Sequence, residues 1–170
     1  YWSDILNPDH YRPVDFLEIR ADDGDAVTFL KENLGILTIG KTNTIQKIYT
    51  EGPPEAWIVS APFSFVGNIS VYSATNTPKG VLYLGLGGLY VFNGQASSLL
   101  SDAVTPAIRD ILVTNFEEVA GFYFKSEYHM AYASTQAGGT TNDRVLVYDF
   151  VRDAFSIDTK NINTFTAFDS

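Results

Sequence analysis

The amino-acid sequence predicts an all-β protein built from one repeated antiparallel unit, on three observations. First, a hairpin-like pattern recurs. With Gly35 set on Gly80, the run Ile36–Gly40 falls on Val81–Gly85 and Thr44-Ile45 falls on Leu89-Tyr90, an offset of 45. A looser third copy spans Glu127–Asp149, where Met130 matches Leu82 at an offset of 48 and the turn is enlarged to Thr135–Asp143. Second, each copy is preceded and followed by another strand-like run, which makes four short strands per unit. Third, the gaps are mostly short and rich in Gly, Pro, Asn and Ser, which leaves no room for the helical crossovers of a parallel sheet. A four-stranded antiparallel unit recurring every 45 to 50 residues or so is the pattern of a β-propeller blade.

Taken in order, Phe16–Ile19 reads as an outer strand without its own blade. The first blade is expected over residues 26–60, from the strand Ala26–Lys31 to Ala56–Ser60. The second covers 69–112, opening with Ile69–Ala74 and closing with Ser97–Leu100 and a short helix. In that helix Thr105 is placed to cap, Pro106 suits the first helical position, and Ala107–Leu112 has helix-compatible spacing. The third covers 119–158, from Val119–Phe124 to Ala154–Asp158, and Thr164–Phe168 reads as an inner strand without a blade. Residues 1–170 thus form one propeller or propeller segment, with about three full blades and partial blades at both ends. Either the ends join into a small ring or the segment is cut from a larger one; the second is preferred, because a joined blade lacks at least one strand. The abrupt start at Tyr1 also reads as a cut piece, a processed product or a segment of something longer.

Val81–Leu84 is apolar at every position, so both faces of that strand should be buried, as they are when one blade packs between two others. Glycines 85, 87 and 88 allow positive φ at the hairpin turn. The residues expected to carry the fold are Leu37, Ile39, Leu82, Leu84, Tyr90, Val145, Val147 and Tyr148.

Composition narrows function. Hydrophobic residues make up 45% of the 170-residue chain, enough for one domain with a real core. A net charge of −9 argues against nucleic acid as the main partner, since phosphate binding needs clustered Lys and Arg. No apolar run approaches the roughly 18–20 residues of a membrane helix. Without cysteine there is no disulfide framework and no thiolate metal site.

The candidate chemical motifs are weak. "GLGG" at 85–88 lacks the following helix of a dinucleotide site and reads as a hairpin turn. "DDGD", Asp22–Asp25, reads as a tight turn, because position twelve of an EF-hand loop counted from Asp22 is Asn33 rather than Glu. His10 and His129 are isolated, and no metal or cofactor site is expected. Glycoside processing needs two carboxyl groups across the scissile bond, and Asp25, Glu118, Asp149 and Asp153 are the candidates. No G-x-S-x-G elbow occurs. Asn68-Ile69-Ser70 fits an N-glycosylation acceptor, but Ile69-Ser70 more readily starts a strand. Tyr83, Tyr90, Phe92, Phe122, Tyr123, Phe124, Tyr128 and Tyr132 are assigned to packing between sheets in preference to stacking on sugars or bases.

Several stretches carry a resemblance. "YWSDILNPDHYRPVDFLEI" is similar to a pattern recurring in propellers of tailed-bacteriophage virions, through Tyr1, Trp2, Ser3, Asp4, Asn7, Pro8, Tyr11 and Phe16–Ile19. The following stretch resembles theirs at Leu30, Leu37, Ile39, Lys41, Ile45 and Ile48, "GGLYVFNG" resembles their G-L-Y-x-F-N/D-G hairpin, and Ser101-Asp102 matches the step before their short helix. Thr38 and Gly40 depart from the pattern, standing where bulkier apolar residues are common. The resemblance implies a non-enzymatic structural part of a phage tail, tail fibre or head-to-tail connector. It would be made in the host cytoplasm, carried in the extracellular particle, and bound to other virion proteins in an oligomeric assembly. A carbohydrate-binding or glycoside-processing propeller is the alternative, and a peptide-gripping adaptor a third; of the adaptor signature only "YD" at 148–149 is present.

Overall fold

A computed structural model describes residues 7, 9–10, 16–20, 22–33, 35–135 and 141–166. It shows three four-stranded antiparallel sheets, each a simple meander. The first holds β1 (Val27–Asn33), β2 (Ile36–Lys41), β3 (Ile45–Tyr49) and β4 (Ile58–Val59). The second holds β5 (Thr75–Thr77), β6 (Gly80–Gly85), β7 (Gly88–Phe92) and β8 (Ser97–Leu99). The third holds β9 (Ala120–Phe124), β10 (Glu127–Tyr132), β11 (Arg144–Asp149) and β12 (Ala154–Thr159). One α-helix, α1 (Thr105–Arg109), lies between β8 and β9. No helix among the described residues is long and apolar enough to cross a membrane.

The sheets stack face to face in chain order. Between the first and second lie Phe29, Ile45, Ala74, Val81, Tyr83 and Phe92. Between the second and third lie Leu82, Leu84 and Leu89 against Tyr128, Met130, Tyr132, Leu146 and Tyr148. The second sheet is therefore packed on both faces, and every residue of β6 is buried, as its unbroken apolar run requires. The far face of the third sheet, with Ala131, Val145 and Val147, is covered by Ile162 and Phe165.

Polar ties reinforce the stack, both at the edge where β1 approaches β5 and β5 approaches β9 and between other strands. Asn33 Nδ2 donates to Thr77 O (3.3 Å) while Asn76 Nδ2 donates to Glu32 O (2.6 Å), a reciprocal clasp between β1 and β5. Tyr128 OH donates to Ser73 O (2.9 Å), and Lys79 Nζ reaches Tyr148 OH (2.8 Å) and Asp153. Lys47 lies 3.8 Å above the Phe63 ring and donates to Gly94 O.

Several expectations need correction. Ile69–Ala74 is not a strand: residues 71–73 form a turn and β5 begins at Thr75. The reason is a buried polar cluster. Asn68 Nδ2 donates to Ser70 O, Ser70 Oγ donates to Val119 O, and Ser73 Oγ accepts from Leu84 N, so these side chains bond locally instead of extending into a ladder. Phe16–Ile19 carries no strand, and neither do residues 164–166; residues 167–168 lie outside the described set. Thr105 does not cap α1: it is the helix's first residue, and its hydroxyl donates to Asp102 O. Of the fold-carrying residues, Ile39, Leu82, Leu84, Val145, Val147 and Tyr148 are buried, while Leu37 and Tyr90 are half-buried.

The repeat itself is slipped by one residue. Gly85 pairs with Gly88 across the Leu86-Gly87 turn, but Gly40 pairs with Ile45, and the equivalent two-residue turn is closed by Lys41 N donating to Thr44 O. Lys41 thus corresponds to Gly85, and Gly40 to Leu84. A slip of one exchanges the two faces of a strand. Thr38 and Gly40 face the second sheet, where a Cβ on Gly40 would lie 2.1 Å from the Phe29 ring. That ring fills the space a larger side chain would take, which accounts for the glycine at position 40. Likewise Met130 faces the second sheet, whereas Leu82, aligned with it, faces the third.

Candidate functional site: the crossover end of the stack

Three segments carry the chain onward from an outer strand: residues 60–74 after β4, 100–119 after β8, and 160–166 after β12. All three are tied to the central hairpin turns. Asn68 N donates to Lys41 O, Ile69 N to Leu84 O, Leu112 N to Ala133 O, and Ile162 N to Asn142 O. The crossovers and central turns therefore share one end of the stack.

At that end the three crossovers meet around a cleft of about 640 Å³. The first contributes Tyr72, the second Glu117 and Glu118, and the third Asn163, Thr164 and Phe165; β9 supplies Gly121 and Phe122. Phe122 and Phe165 stack with ring centres 6.0 Å apart and planes 10° from parallel. Gly121 N donates to Tyr72 O at 2.8 Å, which fixes the backbone of a tyrosine that is 69% exposed. A Cβ on Gly121 would lie 2.4 Å from both Ser73 O and Tyr128 OH, so glycine is what lets that inter-sheet bond form beneath the cleft. A second groove, about 300 Å³, runs between Phe65, Leu86 and Tyr90. Phe65 and Leu86 are 82% and 80% exposed.

The electrostatics of the main cleft are one-sided. No Lys, Arg or His lines it, and among the described residues neither Glu117 nor Glu118 has a side-chain hydrogen bond or ion pair. Several carboxylates elsewhere are engaged. Asp23 grips the buried Lys41 at 2.6 Å, and that bond is the main cause holding its carboxyl below the usual range. Asp143 accepts from Ser134 N and Oγ. Asp158 pairs with Lys160.

The four carboxylates named from the sequence are scattered. Asp25 accepts from Asn43 N, Asn43 Nδ2 and Thr44 Oγ1, bracing the β2–β3 turn. Asp149 accepts from Val151 N and Arg152 N in the β11–β12 turn, and the Arg152 backbone bond is the first cause of its lowered pKa. Asp153 accepts from the Tyr148 hydroxyl and Lys79, which together lower its pKa. Glu118 alone of the four lines one of the large clefts, beside Glu117, which the sequence reading missed. The Glu-Glu pair before a strand was a visible signal, but nothing local places Tyr72 and Phe165 next to it.

The remaining motifs resolve as packing and turns. "GLGG" is the β6–β7 hairpin, with Gly88 at φ 145° and a strand following it. In "DDGD", Asp25 N bonds back to Asp23 Oδ1 and both carboxylates serve protein donors. Asn68 is fully buried with both amide atoms bonded, which leaves no accessible glycosylation acceptor in the folded chain. His129 pairs with Glu127 at 3.1 Å and tilts over Phe165, and His10 lies exposed near the chain start. No group of three potential metal ligands exists among the described residues. Tyr83, Tyr128, Tyr132 and Phe92 are buried between sheets, Tyr90 and Tyr123 are half-buried, Phe124 is exposed, and Phe122 reaches the cleft.

No protein-family model matches the chain, and no curated protein sequence does either.

Proposed function

We propose that the chain is a non-enzymatic structural module, three blades of a β-propeller whose stack serves as a rigid platform for neighbouring subunits in a phage tail or head-to-tail assembly. One observation carries the architectural part: equivalent four-stranded sheets packed face to face in chain order, with their first strands drawn together at one edge. Burial on both faces of the middle sheet makes a shear of one sheet past another expose apolar surface, so the stack resists deformation. The crossover end supplies a contact surface, since Phe65, Tyr72 and Leu86 stand exposed there. The virion setting rests on the sequence resemblance. Within the described residues that resemblance falls on Asn7, Phe16–Ile19, Leu30 of β1, Leu37, Ile39 and Lys41 of β2, Ile45 and Ile48 of β3, the β7 hairpin and Ser101-Asp102.

Gold-labelled antibody against this chain, applied to purified phage particles from its source, tests the setting. Label at the tail or its junction with the head supports it, and particles free of label overturn it. Class averages of the native polypeptide by negative-stain electron microscopy test the architecture, with radial blades expected.

A second reading is carbohydrate binding, favoured by the Phe122, Phe165 and Tyr72 rings beside Glu118. A glycan array with the wild-type chain and Glu118→Gln separates the two. Selective sugar binding lost in the variant would replace the platform reading.

A further inference from the structure

We propose that the crossover cleft is the docking groove for a cationic segment of a partner subunit, an extended peptide that presents a Lys or Arg beside an apolar side chain. This deepens the platform reading and presupposes it. The argument is charge complementarity in a formed cavity. Glu117 and Glu118 project at its rim with no cation in its lining and no partner among the described residues. Several of the chain's other carboxylates are matched by a cation: Asp23 by Lys41, Asp149 by Arg152, Asp153 by Lys79 and Asp158 by Lys160. Two adjacent carboxylates left unmatched beside an aromatic floor favour a cationic partner, and a guanidinium binds a carboxylate with paired hydrogen bonds.

The floor supplies the second half of the recognition. The stacked Phe122–Phe165 pair offers a flat apolar surface, and the anchored, exposed Tyr72 closes one side. A cation placed over such rings gains further attraction. The volume, about 640 Å³, suits two or three side chains of a peptide. A neutral sugar would stack on the same rings but leave both charges uncompensated, and a nucleic-acid phosphate would be repelled by them. The net charge of −9 steers a basic partner toward the chain over a longer range.

The test uses the full chain and a fluorescein-labelled hexapeptide of alternating Arg and Phe, with Glu/Phe and Ser/Phe counterparts, read by fluorescence anisotropy at low and physiological salt. Binding is expected for the Arg/Phe peptide alone, weakening as salt rises. The double variant Glu117→Gln/Glu118→Gln should lose about tenfold or more in affinity while keeping its circular dichroism spectrum. Asp102→Asn, an exposed acid on the same crossover but outside the cleft, should bind as wild type. Equal binding of the Ser/Phe or Glu/Phe peptide, undiminished binding by the double variant, or no binding of the Arg/Phe peptide overturns the proposal. Displacement of the peptide by excess neutral oligosaccharide overturns it too. A negative result here, with antibody label still found on particles, leaves the platform reading standing and removes only this groove.

Discussion

Replacing Leu82 by Ala probes the packing of the second sheet on the third. Leu82 is wholly buried and lies in the cluster shared with Tyr128, Met130 and Leu146. Truncation removes three carbons, worth about 2.4 kcal/mol of transfer free energy at roughly 0.8 kcal/mol each. The cavity left between two sheets adds to this, because neighbours held by ladders on both sides collapse only partly. The total should fall within about 2–5 kcal/mol. Leu30, on β1 and 55% exposed, is the matched control, and Leu30→Ala should change stability by no more than about 0.5 kcal/mol. Urea unfolding followed by tryptophan fluorescence measures both, with unchanged slope as the check on two-state behaviour. Leu82→Asp should be worse still, burying a charge with no partner and lowering the melting temperature sharply. If Leu82→Ala loses no more than Leu30→Ala, the sheets do not pack as described.

Other perturbations reach different parts of the structure. Gly40→Ala should destabilise by about 1–3 kcal/mol, since its Cβ meets the Phe29 ring, and Phe29→Ala should relieve that clash in a double-mutant cycle. Burial raises the Tyr83 hydroxyl to about 12 and pushes Tyr128 above its ordinary value as well. Above pH 10 the unfolded chain gives up protons that the folded one keeps, so the contribution of these two hydroxyls to stability should be level below pH 10 and fall between pH 10 and 12. Tyr83→Phe should make that fall shallower by on the order of 2–3 kcal/mol across the window, as read by urea unfolding at fixed pH. Asp23 has the opposite sign: its lowered pKa gives stability that is present above pH 3.8 and lost as pH falls through the folded value. Asp23→Asn should lower the melting temperature at neutral pH, leaving the buried Lys41 unpaired, and flatten the acid limb of the stability curve.

The parts of the fold legible in the sequence are those whose signal is local. The unbroken apolar run of β6 and the Gly-rich β6–β7 turn identify a buried hairpin, and the repeat interval brings out its two relatives. Polar clusters were not legible. Ser70 and Ser73 read as part of a strand, yet with Asn68 they turn the chain, and Leu84 N and Val119 O, distant in sequence, complete their bonds. The one-residue slip of the repeat was hidden for a related reason. Matching letters put Gly40 on Gly85, while hairpin closure by Lys41 and Thr44 decides which way each side chain points. For the cleft, Glu118 was visible as one of four acids, but its neighbours come from three crossovers, and only tertiary packing of the sheets brings Tyr72 and Phe165 to it.

Cross-linking between introduced cysteines tests the stacking order most directly, because the chain has none of its own. Glu32→Cys with Asn76→Cys joins the first and second sheets where Asn76 bonds Glu32 O, and Lys79→Cys with Asp153→Cys joins the second and third across a 3.4 Å ion pair. A short bismaleimide should link both pairs within the folded monomer and should fail on the mismatched pair Glu32→Cys with Asp153→Cys. Linkage of the mismatched pair as fast as the matched ones, or failure of both matched pairs, would contradict a stack that runs first, second, third.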